Sequence, residues 1–283
     1  MPNAILLISC PDQRGIAADV ANFIFKHNGN VIHADEHRDE NSNTFFLRIE
    51  WSLEDFLLTK NDIPRHFKEV ADKFFMQWRL SYTDDRKRVA VFVSKHLHCL
   101  YDFLYRFQTG QYPCVVPLVI SNHPDAGDIC HKFSVRFEHI SKVKENKQEQ
   151  ERWELQLLNE NQIDVVVLAR YHQILSGHFV AQFPDRIINI HHSFLPAFVG
   201  AEPYKQAHQK GVKVIGATSH YVTEYLDQGP IIEQDTVRVS HRDSIRNMKE
   251  KGEDLEKVVL HRAIKWHLED KILRFGNKTV VFD

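Results

Sequence analysis

The stretch NIHHSFLPAFVGAEPY, residues 189–204, ends an apolar run (186–190) with two adjacent histidines and a Leu-Pro turn. A short apolar run closed by turn residues predicts a buried strand that stops at the histidines. Residues two apart on a strand share a face, so Asn189 and His191 are expected to project together and His192 to point away. That disfavours a histidine metal pair, because two ligands must converge on one ion. Upstream, apolar runs at 89–93, 114–121, 135–140 and 164–169 alternate with helical patterns at 97–107, 126–132, 147–161 and 175–183. Such alternation predicts a mostly parallel sheet with right-handed crossovers. Open sheets of this kind gather ligands at the carboxyl ends of their strands, where Asn189 and His191 are expected.

The first 83 residues follow a different grammar. AILLISC (4–10) reads as a strand, Ile16, Val20, Phe23 and Ile24 recur at helical spacing, and Asn28-Gly29-Asn30 stops them. Strand-like runs follow at 31–36 and 45–51, then a helix over 53–74 that Pro64 should kink or split, then a strand at 77–83. The order βαββαβ predicts a small α/β sandwich. DDRKR (84–88) reads as a charged linker, which sets two domains, 1–84 and 85–283. The charge run 142–152 reads as the solvated face of a helix with Trp153 and Leu157 turned inward. Apolar runs at 212–215, 217–222 and 231–239 read as strands, 253–269 as a long helix, and Gly276-Asn277 as a hairpin turn.

Composition narrows the function classes. The formal charge is -2, which offers nucleic acid or an anionic membrane no electrostatic attraction. The 4 cysteines form no C-x-x-C pair and read as reduced thiols. No apolar run approaches membrane-spanning length, and Asp12 and Arg14 interrupt the start too early for a signal peptide, so a cytoplasmic protein is expected. His96-x-His98-Cys99 has metal-like residue types, but no second cluster lies at ligand spacing; it reads as a helix N-terminus, and no metal is expected.

A second polar knot, GATSHYVTEYLDQGPIIEQ (216–234), carries Asp227 in a D-x-G-P turn. Such an Asp is ordinarily a turn former, and its interest comes from pairing with His191. Asn, His and Asp without a nucleophilic Ser or Cys motif suggest carbonyl chemistry with no covalent intermediate. Asn189 can donate an amide N–H to a developing oxyanion, and His191 can polarise the same oxygen. Asp227 can hold His191 or accept a proton from an attacking nucleophile.

Resemblance to known families sharpens this. The βαββαβ order with P-D-x-x-G (11–15) resembles the ACT domain, a ferredoxin-like regulatory module that binds amino acids. It implies an effector site from Asp12, Arg14, Gly15, Asn28, Gly29 and Asn30 across the seam of a homodimer or homotetramer; on spacing alone Gly15 reads as a tight turn. Residues 86–283 are similar to the 10-formyltetrahydrofolate-dependent formyltransferases, which have a Rossmann-like fold. In that family the Asn-x-His pair and the Asp of the D-x-G-x-I turn form the transfer centre; here they are Asn189, His191 and Asp227. LARYHQILSGHFV (168–180) resembles the folate loop, implying Tyr171, His172, Gln173, Ile174 and Leu175 around the pterin. His220, Val222, Thr223, Glu224 and Leu226 would form the opposite wall.

Purine-pathway formyltransferases of this fold carry a glycine-rich phosphate loop after their first strand, whereas this chain has no glycine between Gly29 and Gly110. An ACT-like start followed by VSKHLHCLYDFLYR, LARY and NIHHSFLPAF closely resembles the formyltetrahydrofolate deformylases. That family converts 10-formyltetrahydrofolate and water into formate and tetrahydrofolate, with folate as substrate, no permanently bound cofactor, and formate supplied to purine synthesis. Two departures are visible: His172 stands where Met is expected, and Glu202 where a basic or amide residue is expected. The competing readings are a glycinamide ribonucleotide or other amine formyltransferase, and an amino-acid sensor with a degenerate catalytic part, which the intact Asn189, His191 and Asp227 disfavour.

Overall fold

A computed structural model describes residues 2–141, 147–197 and 203–283. The chain divides into two compact units: Met1–Arg86 with Glu269–Phe275 and Thr279–Asp283, and Lys87–Leu268 with Gly276–Lys278.

The first unit runs β1 (Asn3–Pro11), α1 (Ile16–Lys26), β2 (Asn30–Asp39), β3 (Thr44–Ser52), α2 (Ile63–Lys73) and β4 (Gln77–Tyr82). Its four strands pair antiparallel in the order β2-β3-β1-β4. Alternation along β1 sends Leu6 and Ile8 into a core with Phe23 of α1 and Phe67 of α2, while Leu7 faces the other way. The second face is covered too: Leu7 and Phe46 pack with Phe275 and Phe282. Arg48, only 3% exposed, is kept there by bonds to the carbonyls of Asp270 and Glu269 and to Glu50. The last residues thus belong to the first unit's core, which the sequence had not suggested. The expected helix over 53–74 is shorter. Pro64 does not kink it but stands in its first turn, where the missing N–H costs nothing, and residues before Ile63 form turns.

The second unit continues β5 (Lys87–Val93), α3 (His98–Gln108), β6 (Cys114–Ser121), α4 (Gly127–Lys132), β7 (Phe137–His139), α5 (Lys147–Glu160), β8 (Val165–Ala169), α6 (Gly177–Gln182) and β9 (Ile187–His191). Then come α7 (Pro203–Lys210), β10 (Val214–Tyr221), β11 (Ile231–Arg238) and α8 (Ile245–Leu268), and a hairpin, β12 (Ile272–Phe275) and β13 (Lys278–Val281), ends the chain. The sheet order is β11-β10-β9-β8-β5-β6-β7. Strands β5 to β9 are parallel, and β10 and β11 turn antiparallel. The two expected strands 212–215 and 217–222 are one strand, because Gly216 sits within β10. A Cβ there would stand 2.7 Å from the Phe194 Cβ, so the glycine admits that ring rather than breaking the strand.

One face of the sheet packs Phe92, Leu168 and Val166 against Leu157 and Leu158 of α5 and Phe179 of α6. The charge run on α5 departs from expectation. Leu157 is inward, but Trp153 is 48% exposed, whereas Glu151 and Glu154 are buried. Residues 142–146 of that run lie outside the described residues.

Candidate active site

Strand β9 carries Asn189 and His191, and the antiparallel register of β10 sets His220 directly opposite Asn189. Asn189 Nδ2 lies 3.1 Å from His220 Nε2. His220 Nδ1 donates to the Tyr221 carbonyl at 2.9 Å, so Nε2 is the ring nitrogen turned to the Asn189 amide and to Asp227. Asp227 arrives from the turn after β10, in a left-handed conformation with φ 54, which Asp tolerates better than most residues. The turn tucks against the strand end through the Tyr221 N–H to Pro230 carbonyl bond of 2.9 Å. A Cβ on Gly229 would fall 1.8 Å from the Tyr221 oxygen, so only glycine allows this approach. The carboxylate is delivered between two imidazoles, Oδ2 at 3.3 Å from His191 Nδ1 and Oδ1 at 3.7 Å from His220 Nε2.

Burial alone would raise the Asp227 carboxyl, but hydrogen bonds and charge from His191 and His220 outweigh it and hold the group well below the usual carboxylate range. It is an anion at neutral pH. With Nδ1 turned to Asp227, His191 presents Nε2, which is buried without a hydrogen-bond partner among the described residues. An unpaired buried ring nitrogen is costly unless something binds it.

These groups line one cavity of about 530 Å³, a size suited to a cofactor-sized molecule. One wall is Tyr171, His172, Gln173, Ile174 and Leu175; the other is Val222, Thr223, Glu224 and Leu226 with His220. Every residue proposed for catalysis or substrate contact is thus brought to the same cavity. Tyr225, within the 222–226 run, lines it too, and sequence reasoning missed Arg170 and His192. The Arg170 signal lay in the LARY run, directly before the folate-loop residues. His192 corrects an expectation: it does not point away. Strand β9 ends at His191, so the two-residue period no longer applies, and the His191 and His192 rings stack 5.1 Å apart. The loop beyond is held by Thr218, whose hydroxyl donates to the Ser193 carbonyl and accepts from the Leu195 N–H, and by Gln234, which donates to the Leu195 carbonyl. His172 keeps its backbone in place through an N–H bond to Ser94 Oγ at 3.1 Å. Glu202 lies outside the described residues.

The His98 neighbourhood gathers metal-like residue types, of which His98 and Glu256 are already paired with each other. His98, Cys99 and Glu256 place potential ligand atoms within 4.8 Å of one another. Burial pushes the Cys99 thiol up. Glu256 is already engaged by His98 Nε2 at 2.7 Å, the Tyr204 hydroxyl at 2.9 Å and the Arg170 guanidinium at 3.4 Å. A carboxylate so matched has little left for a cation.

In the first unit the residues named for an effector fall at opposite ends of α1 and do not converge within one chain. Gly15 caps the start of α1 with φ 93, and Asp12 pairs with Arg38 at 2.6 Å; Arg14 is exposed. At the other end Asn28 has φ 61 and donates to the Asp55 carbonyl at 2.9 Å. A Cβ on Gly29 would meet Ile24 Cγ2 at 2.5 Å, so packing accounts for that glycine. Asn30 opens β2.

The formyl transferase family profile matches residues 87–264, and the ACT domain profile matches 4–54. A Synechocystis protein named formyltetrahydrofolate deformylase is 52% identical over 99% of this chain and 98% of its own length. A Bacillus subtilis protein of the same name is 48% identical over 98% and 93%. The chain belongs to the formyltetrahydrofolate deformylase family. The solved deformylase from Pseudomonas syringae superposes with a TM-score of 0.98 at 46% identity, over 100% of this chain and 95% of that one. A glycinamide ribonucleotide transformylase from Symbiobacterium toebii reaches 0.67 at 30% identity and covers only 70% of this chain. The deformylase family is matched along both units, the transformylase over part of the chain.

Proposed function

We propose that this chain hydrolyses 10-formyltetrahydrofolate to formate and tetrahydrofolate in the cavity bounded by Asn189, His191 and Asp227. The observation that carries the assignment is the pairing of an ionised Asp227 with His191, both lining the cavity, with His191 Nε2 unpartnered among the described residues. The folate pterin lies between the 171–175 wall and the 222–226 wall. Water is oriented by His191 and Asp227, and its oxygen bonds to the formyl carbon. Asn189 and His191 stabilise the oxyanion that forms. The carbon–N10 bond then breaks, N10 takes a proton, and formate departs as the anion. His191 and Asp227 together serve as proton acceptor and donor.

Incubation with 10-formyltetrahydrofolate and no amine tests this. Formate release is expected; release only after an amine acceptor is added would favour the amine formyltransferase instead. The N-terminal unit supports a regulatory reading: an amino acid bound by Asp12, Arg14, Gly15, Asn28, Gly29 and Asn30 across a homodimer or homotetramer seam, since the two groups of residues do not meet in one chain. The formate would feed purine synthesis. Action in the cytoplasm is supported by four buried cysteines that are all free; no described helix is long and apolar enough to cross a membrane.

A further inference from the structure

Helix α5 is turned the wrong way for an ordinary amphipathic helix. Trp153 is 48% exposed, while Glu151 and Glu154 are exposed by only 7% and 1%. Removing two carboxylates from water is expensive unless their lone pairs are taken up by good partners. Here each carboxylate takes a partner from one end of a single loop, while Glu154 Oε2 has none among the described residues. Glu154 Oε1 accepts from the Tyr171 hydroxyl at 3.0 Å and from Gln150 Nε2 at 2.8 Å. Glu151 Oε1 accepts from the Ser176 N–H at 2.8 Å, and the Ser176 hydroxyl donates to Glu151 Oε2. The same hydroxyl accepts from the Phe179 N–H at 3.2 Å and so caps α6.

Residues 171–176 form neither helix nor strand, so no hydrogen-bond ladder dictates their path. Their shape is imposed from outside: Ser94 Oγ holds the His172 N–H, and the two glutamates, three apart on one helix face, hold the ends. The Tyr171 ring stands edge-on to Phe92, centroids 5.2 Å apart, so fixing its hydroxyl fixes the ring as well. Burial pushes the Glu154 carboxyl up, and the bonds from Gln150 and Tyr171 work against that rise.

We propose that Glu151 and Glu154 are positioning residues for the folate: they hold loop 171–176 in the shape of the pterin wall and thereby set substrate affinity rather than the chemical step. This rests on the cavity being the folate site.

Steady-state kinetics with 10-formyltetrahydrofolate test it on the full chain. Glu154→Leu is expected to raise KM about tenfold with kcat within about threefold, the pattern of lost uniform binding. Glu154→Gln keeps an acceptor for Tyr171 and should restore KM to within about threefold of the parent. Tyr171→Phe cuts the same bond from the other side and should raise KM similarly; combined with Glu154→Leu it should add less than about twofold. Glu151→Ala should act on KM in the same way, and hydrogen exchange should quicken in 171–176 but not in β5. If Glu154→Leu fails to fold, Tyr171→Phe and Glu151→Ala carry the test. The proposal is overturned if KM is unmoved, if kcat falls instead, or if the Gln and Leu variants behave alike. Ile174→Asp, in the cavity wall, separates the two readings. Should it raise KM while the glutamate variants do not, only the clamp is wrong; should none of them change KM, the folate assignment of the cavity is wrong as well.

Discussion

The turn at Asp227 and the loop at Asp12–Gly15 look alike in sequence: each has an Asp followed shortly by Gly, beside a strand. Their surroundings differ. At Asp227 the carboxylate is held between two histidines, and one ring nitrogen is left buried without a partner among the described residues. At Asp12 the carboxylate pairs with an Arg38 whose side chain is 53% exposed, and Gly15 is explained by its left-handed backbone. The lesson is that a motif becomes a candidate reaction centre when its polar atoms are desolvated and incompletely satisfied. A satisfied, solvated motif needs a partner from outside before it can do anything.

That contrast can be broken outright. Asp227→Ala or His191→Ala should lower formate release by roughly 10²–10⁴-fold in a folded protein, the range of a lost general acid or base. Asp12→Ala should leave basal turnover within about twofold, as surface changes ordinarily do. Full activity in Asp227→Ala would undo the catalytic assignment. Asn189→Ala should cost about 10²-fold in kcat as an oxyanion donor, with CD unchanged.

Stability gives a second contrast. Phe92, fully buried against Tyr171 of loop 171–176, should cost about 3–5 kcal/mol when truncated to Ala, read by urea denaturation. Trp153→Ala should stay within about 0.5 kcal/mol, because that ring is half in water. An equal loss at both positions would mean that α5 packs by its Trp153 face after all.

In the first unit, an amino acid should alter turnover by about fivefold or more if the two ends of α1 complete a site with a partner copy. Asp12→Ala or Asn30→Ala should abolish the response. Point variants suit this test better than truncation, because removing the first residues would strip Phe275 and Phe282 of Leu7 and Phe46. A response indifferent to both substitutions would refute the placement.

The smallest effect is on acid stability. Burial and the Arg170 charge hold His192 down to about 3, whereas an unfolded imidazole titrates near about 6.5. Between those values the unfolded chain binds the extra proton, so stability falls as pH drops from about 6.5 towards 3. Asp227, lowered in the fold, adds stability at neutral pH that is lost as pH falls below its unfolded value of about 3.9. Denaturation midpoints across this window should slope downward toward acid, and His192→Asn should flatten the slope above pH about 4. An unchanged slope would contradict the burial of a neutral His192.

Sequence by itself determined the βαββαβ unit, the largely parallel second sheet, and the meeting of Asn189, His191 and Asp227 in one motif set. The first two follow from period-two and helical spacing, which are local; the third came from the resemblance to the formyltransferases, since turn chemistry alone reads Asp227 as a turn former. Tertiary structure alone decided three things. His192 joined the cavity because the strand stopped one residue before it. Glu151 and Glu154 went inside because loop 171–176 offered them donors, and the last residues returned to cover Leu7 and Phe46. Each depends on what a distant segment brings to the spot: a carboxylate's burial is decided by its partners, and no spacing along one helix can state who they are.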